Sequence, residues 1–127
     1  MQKLSEWLTL YMERKVIAYK NYFLDFYKAQ NDTVQRKIEW TLKLIETTYK
    51  VPEKYFKHIT GSNGIYEIRV EVGSNIYRIF SFFDKGNLVV LGNGFQKKTQ
   101  KTPKNEIEKA IKIIEEYEQG KGNYNFR

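Results

Sequence analysis

The sequence predicts an α+β fold: β-α-α-β-β-β order with a C-terminal helix, an antiparallel sheet packed against an αα-hairpin. Three observations predict it. Helical periodicity fills two adjoining segments in the first half of the chain and one near its end. Strand-like alternation occupies the stretch between, from Ile65 to Leu91. Short turn signals, Gly73-Ser74 and Asp84-Lys85-Gly86, divide that stretch. With 127 residues the chain is most simply one domain, large enough to bury a core. The domain is expected over residues 1–118, with residues 119–127 as a mobile tail.

Residues 1–12 fit either a short helix or an irregular lead-in. Lys15 to Tyr19 reads as the first strand. Tyr22, Phe23, Phe26 and Tyr27 fall at helical spacing and place a short helix over Tyr22 to Gln30. Asn31-Asp32 breaks it, and Asp32 serves as the expected N-cap of a second helix. That helix should run to about Tyr49, with Val34, Ile38, Leu42 and Ile45 on one face, and Pro52 prevents its continuation. From Ile65 to Val72 the chain alternates. Tyr66, Ile68, Val70 and Val72 lie on one side, and Glu67, Arg69 and Glu71 on the other. Gly73-Ser74 suits a two-residue II′ turn into a strand from Asn75 to Phe83; Asp84-Lys85-Gly86 suits a three-residue loop into a strand from Asn87. Thr102 is the expected cap of the last helix and Pro103 its first turn. Ile107, Ala110, Ile111, Ile114 and Tyr117 form its buried stripe, and Gly120 ends it.

The formal net charge of +7 favours acidic partners: nucleic acid, anionic membrane or acidic protein. Ten Tyr and eight Phe are many for this length; most belong to a core, although aromatics in a basic protein also stack on bases. Cysteine is absent, which excludes disulfides and thiolate chemistry. The apolar runs are far too short to span a membrane, and Glu6 and Glu13 around a very short apolar run do not make a signal peptide. The expectation is a cytoplasmic protein without a membrane partner.

Charge concentrates where Leu88-Val89-Val90-Leu91 passes through Gly92-Asn93-Gly94 into Phe95-Gln96-Lys97-Lys98-Thr99-Gln100-Lys101-Thr102-Pro103. From Gly94 through Lys104 there are four lysines and no acid. Such a run is either a solvated loop or, with two glycines leaving space beside it, a polyanion site delivered by a rigid strand. The hairpin register bears on the choice. With Gly73-Ser74 as the loop, Val72 opposes Asn75 and Arg69 opposes Arg78. Like charges directly across a ladder destabilise it by up to ~1 kcal/mol. Either Glu67 and Glu71 neutralise the pair, or it awaits a phosphate, which guanidinium binds through paired N–H donors. Phe83 opposite Asn87 would set Arg78 opposite Gly92, so that arginines, a gap and lysines converge. Lys54-Tyr55-Phe56-Lys57-His58 adds further cations and the chain's single histidine, either a structural residue or a proton carrier. One histidine and no suitable carboxylate spacing suggest no metal, and no nucleophile-elbow, Walker or dinucleotide glycine pattern occurs. Gly61-Ser62-Asn63-Gly64 is a turn, not a phosphate loop. No cofactor is expected.

Tyr66-Glu67-Ile68-Arg69-Val70, Ile76-Tyr77-Arg78-Ile79-Phe80 and Gly94-Phe95-Gln96-Lys97-Lys98-Thr99-Gln100-Lys101-Thr102-Pro103 resemble the RelE/HigB toxins, and more narrowly the phage-derived toxin-like branch of type II toxin–antitoxin systems. The resemblance covers about Lys15 to Tyr117 and implies a RelE/ParE-like fold. It also implies ribosome-dependent, metal-independent cleavage of mRNA by attack of a ribose 2′-OH on the adjacent phosphate, with neutralisation by a cognate helix-turn-helix antitoxin. By the family pattern Arg69 and Arg78 contact the scissile phosphate, with Lys98 among the catalytic cations and Lys97 and Lys101 along the RNA backbone; Lys54, Lys57 and Lys104 extend the basic rim. The chain departs from the pattern at Asn93, where many relatives carry His. Asn cannot shuttle a proton, so acid–base work falls to His58, a Lys of lowered pKa or Tyr77. The other activities open to such a chain are ParE-like inhibition of gyrase by protein binding, or RNA binding without cleavage.

Overall fold

The computed structural model describes residues 13–123. The lead-in at residues 1–12 and the end of the tail at 124–127 lie outside the described residues. The elements are β1 (Lys15–Ala18), α1 (Tyr22–Lys28), α2 (Asp32–Thr47), β2 (Phe56–His58), β3 (Tyr66–Val72), β4 (Asn75–Asp84), β5 (Leu88–Lys97) and α3 (Lys104–Asn123). The expected α+β fold is therefore present, with a five-stranded sheet ordered β1-β5-β4-β3-β2. The make-up of the sheet differs from the sequence expectation in two ways. β1 pairs parallel to β5, joining an otherwise antiparallel sheet. Phe56–His58, read as a connecting segment, adds an edge strand along β3. Three residues are too few to show alternation in the sequence.

Both faces of the sheet are covered. Ile68, Val70, Tyr77, Ile79, Val89 and Leu91 pack beneath Phe23 of α1 and Val34, Ile38 and Ile45 of α2. On the other face Phe80 and Phe95 pack with Ile65, and with Ile107, Ala110 and Ile114 of α3. The α2 cap is Asn31, not Asp32: its backbone is extended and its side chain accepts from the Val34 N–H at 3.0 Å. Asp32 falls one residue inside, where its carboxylate favours the positive end of the helix. Thr48 leaves the helix with an extended backbone, so α2 ends before Tyr49.

The β3–β4 register is the expected one, Val72 opposite Asn75 and Arg69 opposite Arg78. Gly73 takes φ +61°, the left-handed value that the first turn position requires. The β4–β5 register is not. Asp84 pairs with Leu88, Phe83 with Val89 and Arg78 with Phe95, not Gly92. The loop starts one residue later than its composition suggested, and a bulge sets Gly92 and Asn93 together against Phe80, between the Ile79–Gly94 and Ser81–Leu91 pairs.

α3 begins at Lys104, and the Thr102 hydroxyl does not cap it but donates to Glu67 at 3.1 Å. Ile113, not Ile111, joins the buried stripe; Ile111 is exposed. The helix also continues through Gly120 to Asn123. Asp84 explains this: its carboxylate accepts from the Tyr117 hydroxyl at 2.6 Å and from Lys121 Nζ at 2.8 Å, holding the last turns on the β4–β5 hairpin.

Candidate functional site

Strand alternation sends Arg69, Arg78 and Phe95 to the face that α3 covers, as one cross-strand row. Glu71, Ile76 and Lys97 form the neighbouring row toward the β3–β4 turn. On the other side Lys57 of β2 opposes Glu67. Glu67 lies between the arginines: Oε1 is 3.3 Å from Arg69 Nε and 3.8 Å from Arg78 Nε. Two guanidiniums thus share one carboxylate, and the group keeps a formal charge of one cation.

Two of the three side chains are also dry, while Arg69 is half-buried. Arg78 is 4% exposed and Glu67 6% exposed. Arg78 Nη1 donates to the Tyr77 carbonyl at 3.1 Å, while the Nε of both arginines lacks a hydrogen-bond partner. Arg69 Nη1 reaches the Glu53 carbonyl only at 3.4 Å. Burial first, and then the Arg69 charge, hold the Arg78 pKa below the ordinary guanidinium range; Glu67 and Glu71 oppose the shift. An arginine stays protonated regardless, so the site is a fixed, desolvated cation with donors to spare. Each buried unsatisfied donor costs about 1–3 kcal/mol.

The lysine-rich segment reaches this face through Thr102, whose bond to Glu67 ties it to β3. The Thr99 hydroxyl donates to the Lys101 carbonyl at 2.8 Å and folds the segment on itself. Lys97 is half-buried at the end of β5, and Lys98, Lys101 and Lys104 are exposed. Lys54 is exposed before β2, its Nζ 5.5 Å from the Tyr55 ring. The pair, Lys57, Lys97 and the segment therefore converge. The gap once expected at the glycines does not exist: a Cβ at Gly94 would lie 2.6 Å from Phe26 Cγ, and one at Gly92 3.3 Å from the Phe80 carbonyl oxygen. Both glycines serve close packing.

The structure does not bring His58 to the arginines. His58 opposes Tyr66, one residue along from the Lys57–Glu67 pair and so on the other side of the pleat, and its exposed ring meets Tyr66 edge-on at 5.2 Å. Tyr66 packs against the core under the helical hairpin, the opposite face of the sheet. Tyr77 is buried in that same core. Asn93, 5% exposed in the bulge, donates through Nδ2 to the Glu106 carbonyl at 3.1 Å and to Glu106 Oε1 at 3.0 Å, anchoring the first turn of α3.

A scan against protein families matches residues 25–115 to phage-derived protein Gp49-like (DUF891). The match runs from α1 into α3 and contains both arginines and the lysine-rich segment. The chain belongs to the Gp49-like family. This is a RelE-like toxin family of toxin–antitoxin systems, so a toxin-like role and an antitoxin partner follow at the level of the family. No curated protein matches the chain. Among the described residues of this Gp49-like chain, no group of three or more His, Cys, Asp or Glu could hold a metal ion. No described helix is long and apolar enough to cross a membrane.

Two features of the site escaped the sequence reading. Glu67 was one of two candidate neutralising acids, but its position between both guanidiniums, pinned by Thr102, depends on a loop that strand patterning does not place. Trp40 and Tyr55 meet edge-on at 5.4 Å beside Arg69's strand. The available signal was Lys37 and Trp40, one turn apart and off the apolar stripe of α2.

Proposed function

We propose that this protein is the toxin of a type II toxin–antitoxin pair and cleaves ribosome-bound mRNA, without a metal, at the Arg69/Arg78 pair. The observation that supports this most is the buried Arg78 facing Arg69 with only Glu67 between them. A fold gains nothing from two cations sharing one acid in a dry place, because desolvation outweighs the attraction. A phosphate supplies the missing acceptors.

In the reaction, the ribose O2′ attacks phosphorus, forming the 2′,3′-cyclic phosphate while the P–O5′ bond breaks. The O2′ proton leaves to water and O5′ takes one from water. Negative charge grows on the non-bridging oxygens in the transition state, and preorganised guanidiniums stabilise it there. Glu67 holds both side chains aimed through their Nε atoms, and the phosphate takes up terminal N–H groups beyond those that meet the Tyr77 and Glu53 carbonyls. Lys98 adds charge at the same phosphate, and Lys97 and Lys101 follow the backbone on either side. Lys57, Lys54 and Lys104 extend the basic rim. His58 takes no part, because it lies on the other face. Neutralisation falls to a cognate helix-turn-helix antitoxin.

The test is expression of the chain alone and with its adjacent antitoxin, read by primer extension on ribosome-bound mRNA. Cleavage inside codons is expected, lost in Arg69→Ala. Growth arrest with intact mRNA and damaged DNA topology would instead make the protein a gyrase inhibitor.

A further inference from the structure

Arg69 belongs to a second cluster outside the arginine pair. Its backbone N–H donates to the Tyr55 carbonyl at 2.8 Å, so Glu53-Lys54-Tyr55 wraps around it at the sheet edge. Tyr55 meets Trp40 of α2 edge-on, with ring centroids 5.4 Å apart. Trp40 is 48% exposed, an unusual state for the largest side chain of a folded domain. Lys37 Nζ lies 4.3 Å from the Trp40 ring centroid, and Lys54 Nζ 5.5 Å from that of Tyr55. Lys37, Lys54, Tyr55, Arg69 and Glu71 line one small open pocket of about 250 Å³.

One exposed ring, Trp40, and one half-buried ring, Tyr55, interleaved with three cations, against Glu71 as the acid lining the same pocket, form a surface that suits a strand of alternating phosphates and flat bases. A protein partner would be expected to cover such rings with apolar side chains, and the pocket supplies cations in that place. Because Arg69 serves both clusters, a strand whose phosphate lies at the arginine pair continues over the edge onto the rings.

We propose that Trp40 and Tyr55, flanked by Lys37 and Lys54, form a stacking subsite for an unpaired base of the RNA whose phosphate lies at Arg69. The inference rests on the RNA reading of the arginine pair and names a contact that reading does not need. A base replaces the Lys37 ammonium on the indole face, and the ammonium moves to the neighbouring phosphate.

The experiment uses the full chain with Trp7→Phe, which leaves Trp40 as the single tryptophan. The probe is a labelled 2′-O-methyl hexanucleotide, which lacks the attacking hydroxyl, compared at low salt with an all-abasic strand of equal length. The base-bearing strand should quench Trp40 and bind at least about fivefold tighter than the abasic strand. Trp40→Ala and Tyr55→Ala should erase that difference and leave abasic binding unchanged, whereas Arg69→Ala should weaken both strands. No Trp40 quench on binding overturns the subsite, and so do equal losses on both strands. Variants that bind both strands normally yet escape the antitoxin overturn it in favour of protein docking. The quench needs no ring deletion, so a misfolded variant does not spare the proposal. Quench without mRNA cleavage refutes the nuclease and keeps the subsite; cleavage without quench does the reverse.

Discussion

Gly94→Ala distinguishes a glycine that makes room for a ligand from one that makes room for the core. The added Cβ would lie 2.6 Å from Phe26 Cγ and 2.9 Å from Cε2, against an ordinary carbon contact of about 3.5–4.0 Å. The ring must therefore retreat by about 1 Å. It sits on α1, a helix of seven residues, and faces the Tyr77 ring at 6.4 Å, so the shift spreads into the core. Overpacking of this kind costs about 1–3 kcal/mol. For a domain of this size each kcal/mol is worth roughly 3–5 °C, so Tm should fall by about 3–15 °C. Urea unfolding should show the same loss with an unchanged m value. In a Phe26→Leu background the substitution should cost at least about 1 kcal/mol less, since the two sites then couple. Wild-type stability for Gly94→Ala, or an equal loss in both backgrounds, refutes the packing argument. Wild-type stability with lost RNA cleavage would return the glycine to the site.

Asp84→Asn should destabilise the fold in a pH-dependent way. Lys121 and Tyr117 hold the Asp84 carboxyl below its ordinary value. A depressed folded-state pKa gives stability that is present above the unfolded value and is lost as pH falls through the folded one. The variant should therefore lose about 1–3 kcal/mol at pH 7, and its gap from the wild type should close below about pH 4. Tyr117 stays a donor throughout, its hydroxyl pushed up to about 12 by burial and by Asp84. A gap that persists in acid would show the loss to be one of packing. His58→Gln should leave toxicity and mRNA cleavage at wild-type levels, because the ring lies against Tyr66; a large loss in a growth assay would place it back in the mechanism. Binding of single-stranded RNA should weaken steeply with salt, and each of Lys97→Ala, Lys98→Ala and Lys101→Ala should reduce the log–log slope by roughly 0.7. A slope unchanged in all three removes the lysine segment from the interface.

The arginine pair was legible because a two-residue turn fixes register rigidly and alternation then fixes the face. The lysine segment was legible from charge alone. The β4–β5 pairing was not. Loop composition allows a start at Asp84 or Lys85, and the Gly92-Asn93 bulge answers to the packing of α3, which no local pattern encodes. The same cause hid the role of Asn93: the sequence marks it only as a departure from the toxin pattern, yet it is buried and anchors Glu106. Gly120 signalled a helix end by propensity, and the tertiary pair of Lys121 with Asp84 overrides it. His58 invites an acid–base role by its chemistry alone. Once Phe56–His58 pairs with β3, alternation alone sends the ring to the far face.

On the proposed function, Arg78 is held charged and dry for a phosphate, at no benefit to the fold. Arg78→Met tests it in one pair of readings, because the substitution removes the surplus cation and leaves Glu67 paired with Arg69. Primer extension on ribosome-bound mRNA should show codon-internal cleavage by the wild type and a loss of about 10²–10³ in rate for the variant, while thermal unfolding shows a Tm equal to the wild type or higher. A variant that still cleaves at the wild-type rate contradicts the claim, as does one whose activity vanishes only because the fold is lost.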